Sequence, residues 1–352
     1  MADASPHRFI VPLKGVNTFC TFRDGELVPE NPLPMVGFDG HAIDPEFGWV
    51  AWVADGGKAI GRTHLDAIDG EGGFAAVPMP DGYTAGCLLF HRQVLFVGGN
   101  CGTEVIGRFD FASSEPEWVP LEVPEQFRQY GKRIDDLLLD GDRLIAVDDY
   151  TSPKFLLVYQ IAEPRCPELV QVHGLPALWW GEHISTGAVG REWVALLSTG
   201  GGTVVGPRVQ IGLYDRQSLG LLGYLAAVPD AAHGLAAYLE DRPRRTWTHL
   251  AFSEDTLLIA AGRDGVGVLD LAPLERPTSP VSVAMNQRRS LALSDLEPAH
   301  KDFSRLCEAA LHYTSPPTAG PVVRTLPLPG TRHYLAVVRT EPGYDTVVME
   351  LP

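Results

Sequence analysis

The sequence predicts an all-β protein of the β-propeller class, and three observations support this expectation. Six short runs of small and branched apolar residues follow turns along the chain, and the first four begin about 45 to 50 residues apart, a spacing typical of propeller blades. Strand-like segments flank each run, as a four-stranded blade requires. Glycine (37) and proline (29) are both abundant, which suits tight turns and disfavours long helices. The six runs are 49–53, 94–97, 144–147, 193–197, 257–261 and 334–338.

The third repeat unit shows the expected order of strands most clearly. An Asp140-Gly141-Asp142 turn separates two apolar segments, and Asp-Gly in this position is a strong hairpin signal. Two further strand-like segments follow, and the other units repeat this order with different turns. We therefore expect six four-stranded blades, at 36–80, 83–124, 132–173, 183–225, 246–286 and 321–352.

The last of these units contains only three predicted strands. The segment 8–12 near the N-terminus is free to supply the fourth, and closure by the two chain ends would remove the open sheet edges. The sequence therefore predicts a ring that the N-terminal strand closes. A count of seven blades stays open, because 16–28 is able to form part of an additional unit.

Two insertions interrupt the repeat. The segment 230–245 carries the arginine cluster Arg242, Arg244 and Arg245, which either solvates a loop or binds a carboxylate or phosphate group. The segment 294–312, between the fifth and sixth predicted blades, has apolar residues at helical spacing and a possible capping box at its start. We expect a helix there, which covers either exposed propeller surface or a binding funnel.

The charge of the chain narrows the classes of partner. A net charge of −16 and a pI near 5.1 disfavour binding to nucleic acid through phosphate contacts and binding to anionic membranes. An acidic surface serves solubility or matches a basic partner or cation. The partner is therefore expected to be a protein or a small molecule.

The expected location is the cytoplasm. No stretch of 18 apolar residues is present, and the first eight residues lack the apolar core of a signal peptide. The five cysteines are scattered and odd in number, without a CxxC pair, which disfavours a thiolate zinc site and fits a reducing compartment. Three of them lie in apolar contexts that predict buried thiols, namely Cys20, Cys87 and Cys307.

Polar residues on the innermost strand of each blade are the natural candidates for a functional site. Three histidines and an aspartate that converge on one axis are suited to a divalent metal, for which the proposed ligands are His41, His183 and His249. Two alternatives remain open: the polar residues satisfy buried backbone groups and trapped water, or they act as an acid–base pair without metal. The catalytic candidates are His41, Asp135, Asp136, His183, His249 and Arg324, and the ligand-binding candidates are Tyr83, Arg133, Trp180, Glu182 and Trp247.

The segment 140–147, followed by 156–161, resembles the repeat of bacterial propellers of the LVIVD and YncE-like kind. This resemblance implies a fold and carries no catalytic residues. Calcium lactonases of the gluconolactonase-like kind are six-bladed propellers whose metal ligands are Glu, Asn and Asp on inner strands. Here His, Asp and Arg stand at those depths, so the lactonase activity is not implied.

Two functions follow as expectations. The first is a binding module that recognises a protein or small ligand through its central funnel, because long variable connections on a rigid scaffold usually carry binding residues. The alternative is an enzyme with a His/Asp site at the channel mouth, with or without a metal, that acts on a small molecule as a hydrolase, lyase or oxygenase.

Overall fold

The protein, described here from a computed structural model, consists almost entirely of antiparallel strands. Within the described residues there are 26 strands and one α-helix longer than a single turn. That helix has 13 residues, and none in the described part of the chain is long and apolar enough to cross a membrane. The described residues are 7–13, 16–33, 40–67, 74–101, 105–125, 132–148, 154–175, 183–199, 209–226, 247–281, 296–341 and 343–351.

The described strands form seven sheets in chain order. Sheets 3 and 4 are additionally joined by a short pairing between one strand of each, at two residue pairs. Sheets 1 to 3 contain β1 (His7–Leu13), β2 (Val16–Arg23) and β3 (Glu26–Pro32); β4 (His41–Asp44), β5 (Trp49–Ala54), β6 (Ala59–His64) and β7 (Ala75–Pro78); and β8 (Thr84–His91), β9 (Val94–Cys101), β10 (Ile106–Asp110) and β11 (Val119–Pro120). Sheets 4 and 5 contain β12 (Lys132–Asp140), β13 (Arg143–Asp148), β14 (Phe155–Gln160) and β15 (Glu168–Gly174); and β16 (His183–Val189), β17 (Trp193–Thr199), β18 (Val209–Asp215) and β19 (Leu221–Ala226). Sheets 6 and 7 contain β20 (His249–Ser253), β21 (Thr256–Ala260), β22 (Val266–Asp270) and β23 (His312–Thr314); and β24 (Val322–Pro327), β25 (His333–Thr340) and β26 (Gly343–Glu350), while helix α1 spans Pro298–Ala310.

The six apolar runs lie in the second strand of sheets 2 to 7. In β9 and β13 the runs 94–97 and 144–147 are fully buried, since each of these strands is covered on both faces by a neighbouring sheet. A strand buried on both faces has no polar side, which is why these segments read as continuous apolar runs.

Each sheet shares a hydrophobic cluster with the next one, from sheet 2 through to sheet 7. Sheet 1 has an apolar surface on both faces. On one face Ile10 and Phe19 pack with Val50 of sheet 2, and on the other Val11 packs with Leu335 of sheet 7. The seven clusters therefore join the seven sheets into a closed cycle.

The N-terminal strand differs from the prediction. Strand β1 pairs along its whole length with β2 instead of completing the last sheet, and it meets sheet 7 by packing and by a hydrogen bond of 2.7 Å from Thr346 Oγ1 to Pro12 O. The segment 16–28 supplies β2 and part of β3 of this additional sheet. The described strands thus form one sheet more than the six predicted, at the position where the sequence left a seventh open.

The predicted helix is present but differently placed. Helix α1 begins at Pro298 with Glu297 as its N-cap, and it lies between the third and fourth strands of sheet 6, not between two sheets. The sequence pattern also predicts a strand at 281–285, of which only Val281 lies within the described residues; Val281 forms a bridge with Leu221 of sheet 5, and β23 is the fourth strand of sheet 6. The proposed N-cap Ser294 and the insertion 230–245 lie outside the described residues.

The predicted buried thiols are confirmed for Cys20, Cys87 and Cys307. Burial raises the pKa of Cys20 and of Cys307 to about 12. These thiols remain protonated at neutral pH and act as small apolar side chains.

Candidate functional site at the mouth of the ring

The first strands of sheets 2 to 7 contact one another in order: β4 touches β8, β8 touches β12, and so on to β24. They therefore line the axis of the ring. We call the end at which these strands begin the mouth.

Five of these first strands carry a β-bulge at the same level near the mouth. In β8, β12, β16 and β24 the pairing with the second strand shifts by one residue near the start of the strand. In sheet 6 the N–H of Thr248 donates to the carbonyl of Ala260, which is also the partner of His249. A bulge leaves its extra residue outside the ladder. The five extra residues, called the mouth ring below, are Gly86, Asp135, Ser185, Thr248 and Val323.

The mouth ring is open to solvent for much of its circumference. Gly86, Ser185 and Thr248 are exposed. Asp135 forms an ion pair with Arg133, whose side chain is exposed. Thr248 Oγ1 also donates to the carbonyl of Val323 at 2.9 Å, which links the bulges of sheets 6 and 7.

The residues that follow the bulges form a second layer, called the inner layer. Each lies opposite the fifth residue of its partner strand, so the five stand at one depth. They also bond across to the next sheet: Cys87 Sγ donates to Ile134 O at 3.6 Å, and Asp136 Oδ2 accepts from Gly187 N at 2.7 Å. The inner layer consists of Cys87, Asp136, Thr186, His249 and Arg324.

Asp136 is the most perturbed acid of this layer. Burial raises the pKa of its carboxyl group from 3.8 to about 6, although hydrogen bonds from Gly187 N, Leu137 N and Thr186, and the charge of Arg324, act in the opposite direction. Arg324 belongs to sheet 7 and Asp136 to sheet 4, so their interaction crosses the axis. A carboxyl group that titrates near pH 6 is suited to proton transfer, but buried structural carboxyls show such values too.

His249 sits beside the same arginine. Burial, followed by the positive charge of Arg324, holds the pKa of His249 well below its ordinary value. Its imidazole is therefore neutral at pH 7, and its Nδ1 atom is buried without a hydrogen-bond partner among the described residues. Neutral imidazole and a partly protonated carboxyl group are thus both present in one layer.

The other predicted site residues divide into three groups. His41 is half-buried in β4 and lies one residue farther from the mouth than the inner layer. Arg133 lies at the mouth. Tyr83 and Trp247 belong to the hydrophobic clusters: the Tyr83 hydroxyl group lies 3.0 Å from Val105 O, and the Trp247 side chain is 2% exposed. Both aromatic side chains are therefore buried in the core, and their role as ligand-binding residues stays a prediction. Trp180, Glu182 and the side chain of His183 lie outside the described residues.

The metal hypothesis is not supported by the described residues, among which no group of three His, Cys, Asp or Glu side chains is arranged to hold an ion. Since the side chain of His183 lies outside this part, the three-histidine site stays a prediction. Metal analysis of the purified protein and of single alanine variants at the three histidines tests it.

The sequence interpretation did not single out Gly86, Thr248 or Val323. One signal for them does exist. Each of the three directly precedes an inner-layer residue. That inner-layer residue pairs with the fifth residue of the second strand, which contains the apolar run. If the repeat units are aligned on their apolar runs and one additional residue is allowed in each first strand for the bulge, the three residues fall at one aligned position.

No family model matches the chain, and no curated protein matches it. Solved structures do match. The β-propeller domain of Cps50 (Swd1) from Myceliophteria thermophila has a TM-score of 0.57 at 10% identity, with 100% of each chain covered. The chain has a β-propeller fold.

Two further propellers of known structure show the same likeness. Hydrazine synthase from Kuenenia stuttgartiensis has a TM-score of 0.60 at 11% identity, covering 95% of this chain and 89% of that one. YCF48, solved bound to a D1 peptide, has a TM-score of 0.51 at 10% identity, covering 100% and 96%. Identities at this level establish the fold alone, and the relation to LVIVD and YncE-like propellers stays a prediction.

Proposed function

We propose that the protein is a binding module that recognises a partner protein at the mouth ring of its propeller. The observation that carries the proposal is the repeated bulge. It presents Gly86, Ser185 and Thr248 to solvent at one level, on strands that the ring holds rigidly. Short side chains on a rigid frame permit close approach of another surface, and the order of the frame limits the entropy lost on binding.

Two of the inner-layer groups suited to chemistry, Asp136 and Cys87, are engaged in structural hydrogen bonds. Asp136 accepts two backbone N–H groups, and Cys87 has a raised pKa and a carbonyl partner. These contacts hold neighbouring inner strands together and leave the exposed positions to small polar residues. A binding role therefore explains both the structural contacts of the inner layer and the exposed short side chains of the mouth ring better than a catalytic role does. One of the propellers with this fold, YCF48, was solved with a bound peptide, which is consistent with such use of the fold.

The test is to block the mouth ring. Affinity purification with the wild-type protein identifies the partner, and its affinity is then measured for the double variant Ser185→Arg/Thr248→Arg. We expect a loss of about 10-fold or more, because two large charged side chains would occupy a contact surface built for short ones. Val170→Arg is the matched control, since Val170 is 56% exposed on β15 in the outer part of sheet 4.

Equal affinity of the mouth variant and the control would contradict the proposal. The enzyme alternative makes the opposite prediction for the inner layer. A binder retains its partner in Asp136→Asn and His249→Gln, whereas an enzyme loses turnover in these variants while it remains folded.

A further inference from the structure

In the part of the chain that the structure describes, sheet 7 has one strand fewer than sheets 2 to 6. Sheets 2 to 6 each have four strands, whereas sheet 7 has three within the described residues, and its outer strand is β26. This strand is eight residues long, and its ladder in the described part of the chain is with β25. The outer edge of a full-length strand is thus available at the rim of the ring.

The register identifies which backbone groups face outward. The hairpin pairs Thr340 with Gly343, and Leu351 N donates to Arg332 O, so the odd-numbered residues of β26 bond to β25. The even-numbered residues consequently direct their N–H and C=O groups away from the sheet. These residues are Tyr344, Thr346, Val348 and Glu350.

This edge lacks the prolines that natural proteins use on edge strands to prevent strand addition. The comparison is β3, the edge strand of the other three-stranded sheet. There Pro29 and Pro32 remove two donors, and Glu26 and Glu30 add charge. Strand β26 contains no proline and carries three consecutive apolar residues at 347–349.

Neighbouring sheets hold the edge in place. Val347 packs into the cluster between sheets 6 and 7, and Val348 packs into the cluster between sheets 7 and 1. Thr346 is additionally bonded to Pro12 O. The strand is therefore fixed on both faces, so that an added strand would order mainly itself on binding.

We infer that the outer edge of β26 binds an extended segment of a partner protein, which adds to sheet 7 as its fourth strand. Outward groups at every second residue match the spacing of a β-strand and of no other regular structure. The charged residues of β26 are Asp345 and Glu350, without any lysine or arginine. A segment that alternates apolar residues with lysine or arginine is therefore favoured, and pairing of two β26 edges from two copies is disfavoured by like charge.

Hydrogen exchange of the isolated protein is the first test. We expect the amides of Tyr344 and Val348 to exchange much faster than those of Asp345 and Val347, as an open edge requires. The outward amide of Thr346 donates to Asp345 Oδ1 at 2.9 Å and is left out of this comparison. Slow exchange of the outward amides in a monomer would show that the chain's own residues cover the edge, and in a dimer that a second copy does. Either result overturns the inference, and light scattering distinguishes the two.

The second test adds synthetic peptides that alternate valine with lysine, and it compares Thr346→Pro with Thr346→Val. Both variants lose the bond to Pro12, but only proline removes an outward donor and places its ring on the edge. We expect peptide affinity to fall about 10-fold or more in Thr346→Pro and to stay near wild type in Thr346→Val.

A second pair of variants covers the case in which Thr346→Pro fails to fold. Glu350 is exposed near the end of β26, so Glu350→Pro is compared with Glu350→Ala in the same titration. Absence of peptide binding to the wild type, or equal binding to the proline and control variants, would overturn the inference. The mouth variants Ser185→Arg/Thr248→Arg are expected to bind the peptide normally, which separates this edge from the mouth ring.

Discussion

The protonation of one buried residue, Asp136, makes the free energy of unfolding depend on pH. Its folded-state pKa of about 6 lies above the ordinary value of 3.8, so the folded protein binds this proton more tightly than the unfolded chain does. The stability that the group contributes is therefore complete below about pH 3.8 and is lost as the pH rises through about 6.

The corresponding prediction concerns Asp136→Asn. Asparagine cannot ionise, so the variant is expected to lack this decrease in the free energy of unfolding between about pH 4 and pH 6. Urea denaturation at several pH values measures the difference from wild type. Asp81→Asn, on an exposed turn, is the control and should keep the wild-type pH dependence. Parallel curves for wild type and Asp136→Asn would show that the carboxyl group titrates normally.

At the residue scale the sequence located the right neighbourhood of the candidate site but not its geometry. Asp136, His249 and Arg324 were found because they precede the apolar runs, and they do share one layer. Tyr83 and Trp247 belong to hydrophobic clusters, and the sequence pattern of an aromatic residue next to an inner strand is the same whether it faces a channel or a neighbouring sheet. A bulge moves every later residue of the strand to the opposite face of the sheet. The local amino-acid composition does not show where a bulge occurs.

Among the elements, helix α1 is the clearest addition to the repeat. Its Phe303 ring stacks on Trp193 of sheet 5, with ring centroids 5.8 Å apart, although the helix belongs to sheet 6 by sequence. Ser304 Oγ accepts from Tyr224 N at 3.0 Å and donates to His300 O. A side chain at Gly223 would meet Phe303 at 2.6 Å, so glycine is required for this approach. The helix thus covers the junction of sheets 5 and 6.

We predict that Phe303→Ala lowers the free energy of unfolding by about 3–5 kcal/mol, since it removes a fully buried ring from a packed cluster. Chemical denaturation measures the change. Leu306→Ala is the control on the same helix and should change stability by less than about 0.5 kcal/mol, because Leu306 is 48% exposed. A small effect of Phe303→Ala would mean that the helix contributes little to the fold.

The sequence predicted the existence of this helix because its apolar residues recur at helical spacing. It did not predict which strand follows. Val281 pairs with Leu221 of sheet 5, whereas β23 pairs with β22 of sheet 6, and only such tertiary pairing decides which segment completes a sheet. Element type is a local property, whereas strand partnership is not.

On the scale of the whole molecule, sheet 1 decides whether the ring is closed. We predict that Phe19→Ala, in the cluster between sheets 1 and 2, lowers the free energy of unfolding by about 3–5 kcal/mol. Because the hydrophobic clusters join the sheets into a cycle, a ring that unfolds as one unit should also exchange faster in β13, on the far side of the ring. Val16→Ala, at a position 49% exposed, is the control. An effect confined to sheet 1 would show that this sheet unfolds independently.

The blade count cannot be predicted from the apolar runs alone. The second strands of sheets 2 to 7 are buried on both faces and form apolar runs, so a count of runs finds six units. The buried residues of strand β2 include Asn17, Thr18 and Thr21. Because these residues are polar, β2 is not an apolar run and is not counted. The period of the pattern was correct, but one member of the ring does not show it.

The repeated bulge also affects how freely the mouth can change during evolution or design. The extra residue of a bulge has no residue of its own opposite it on the neighbouring strand. Its side chain can therefore be replaced without a change in the register of the blade. Gly86, Asp135, Ser185, Thr248 and Val323 therefore amount to five positions at which substitution keeps the blade register, although Thr248 is bonded to Val323 O and Asp135 is ion-paired with Arg133. Randomising these five positions together would be a direct way to give the propeller a new target while the inner layer beneath them continues to hold the blades in place.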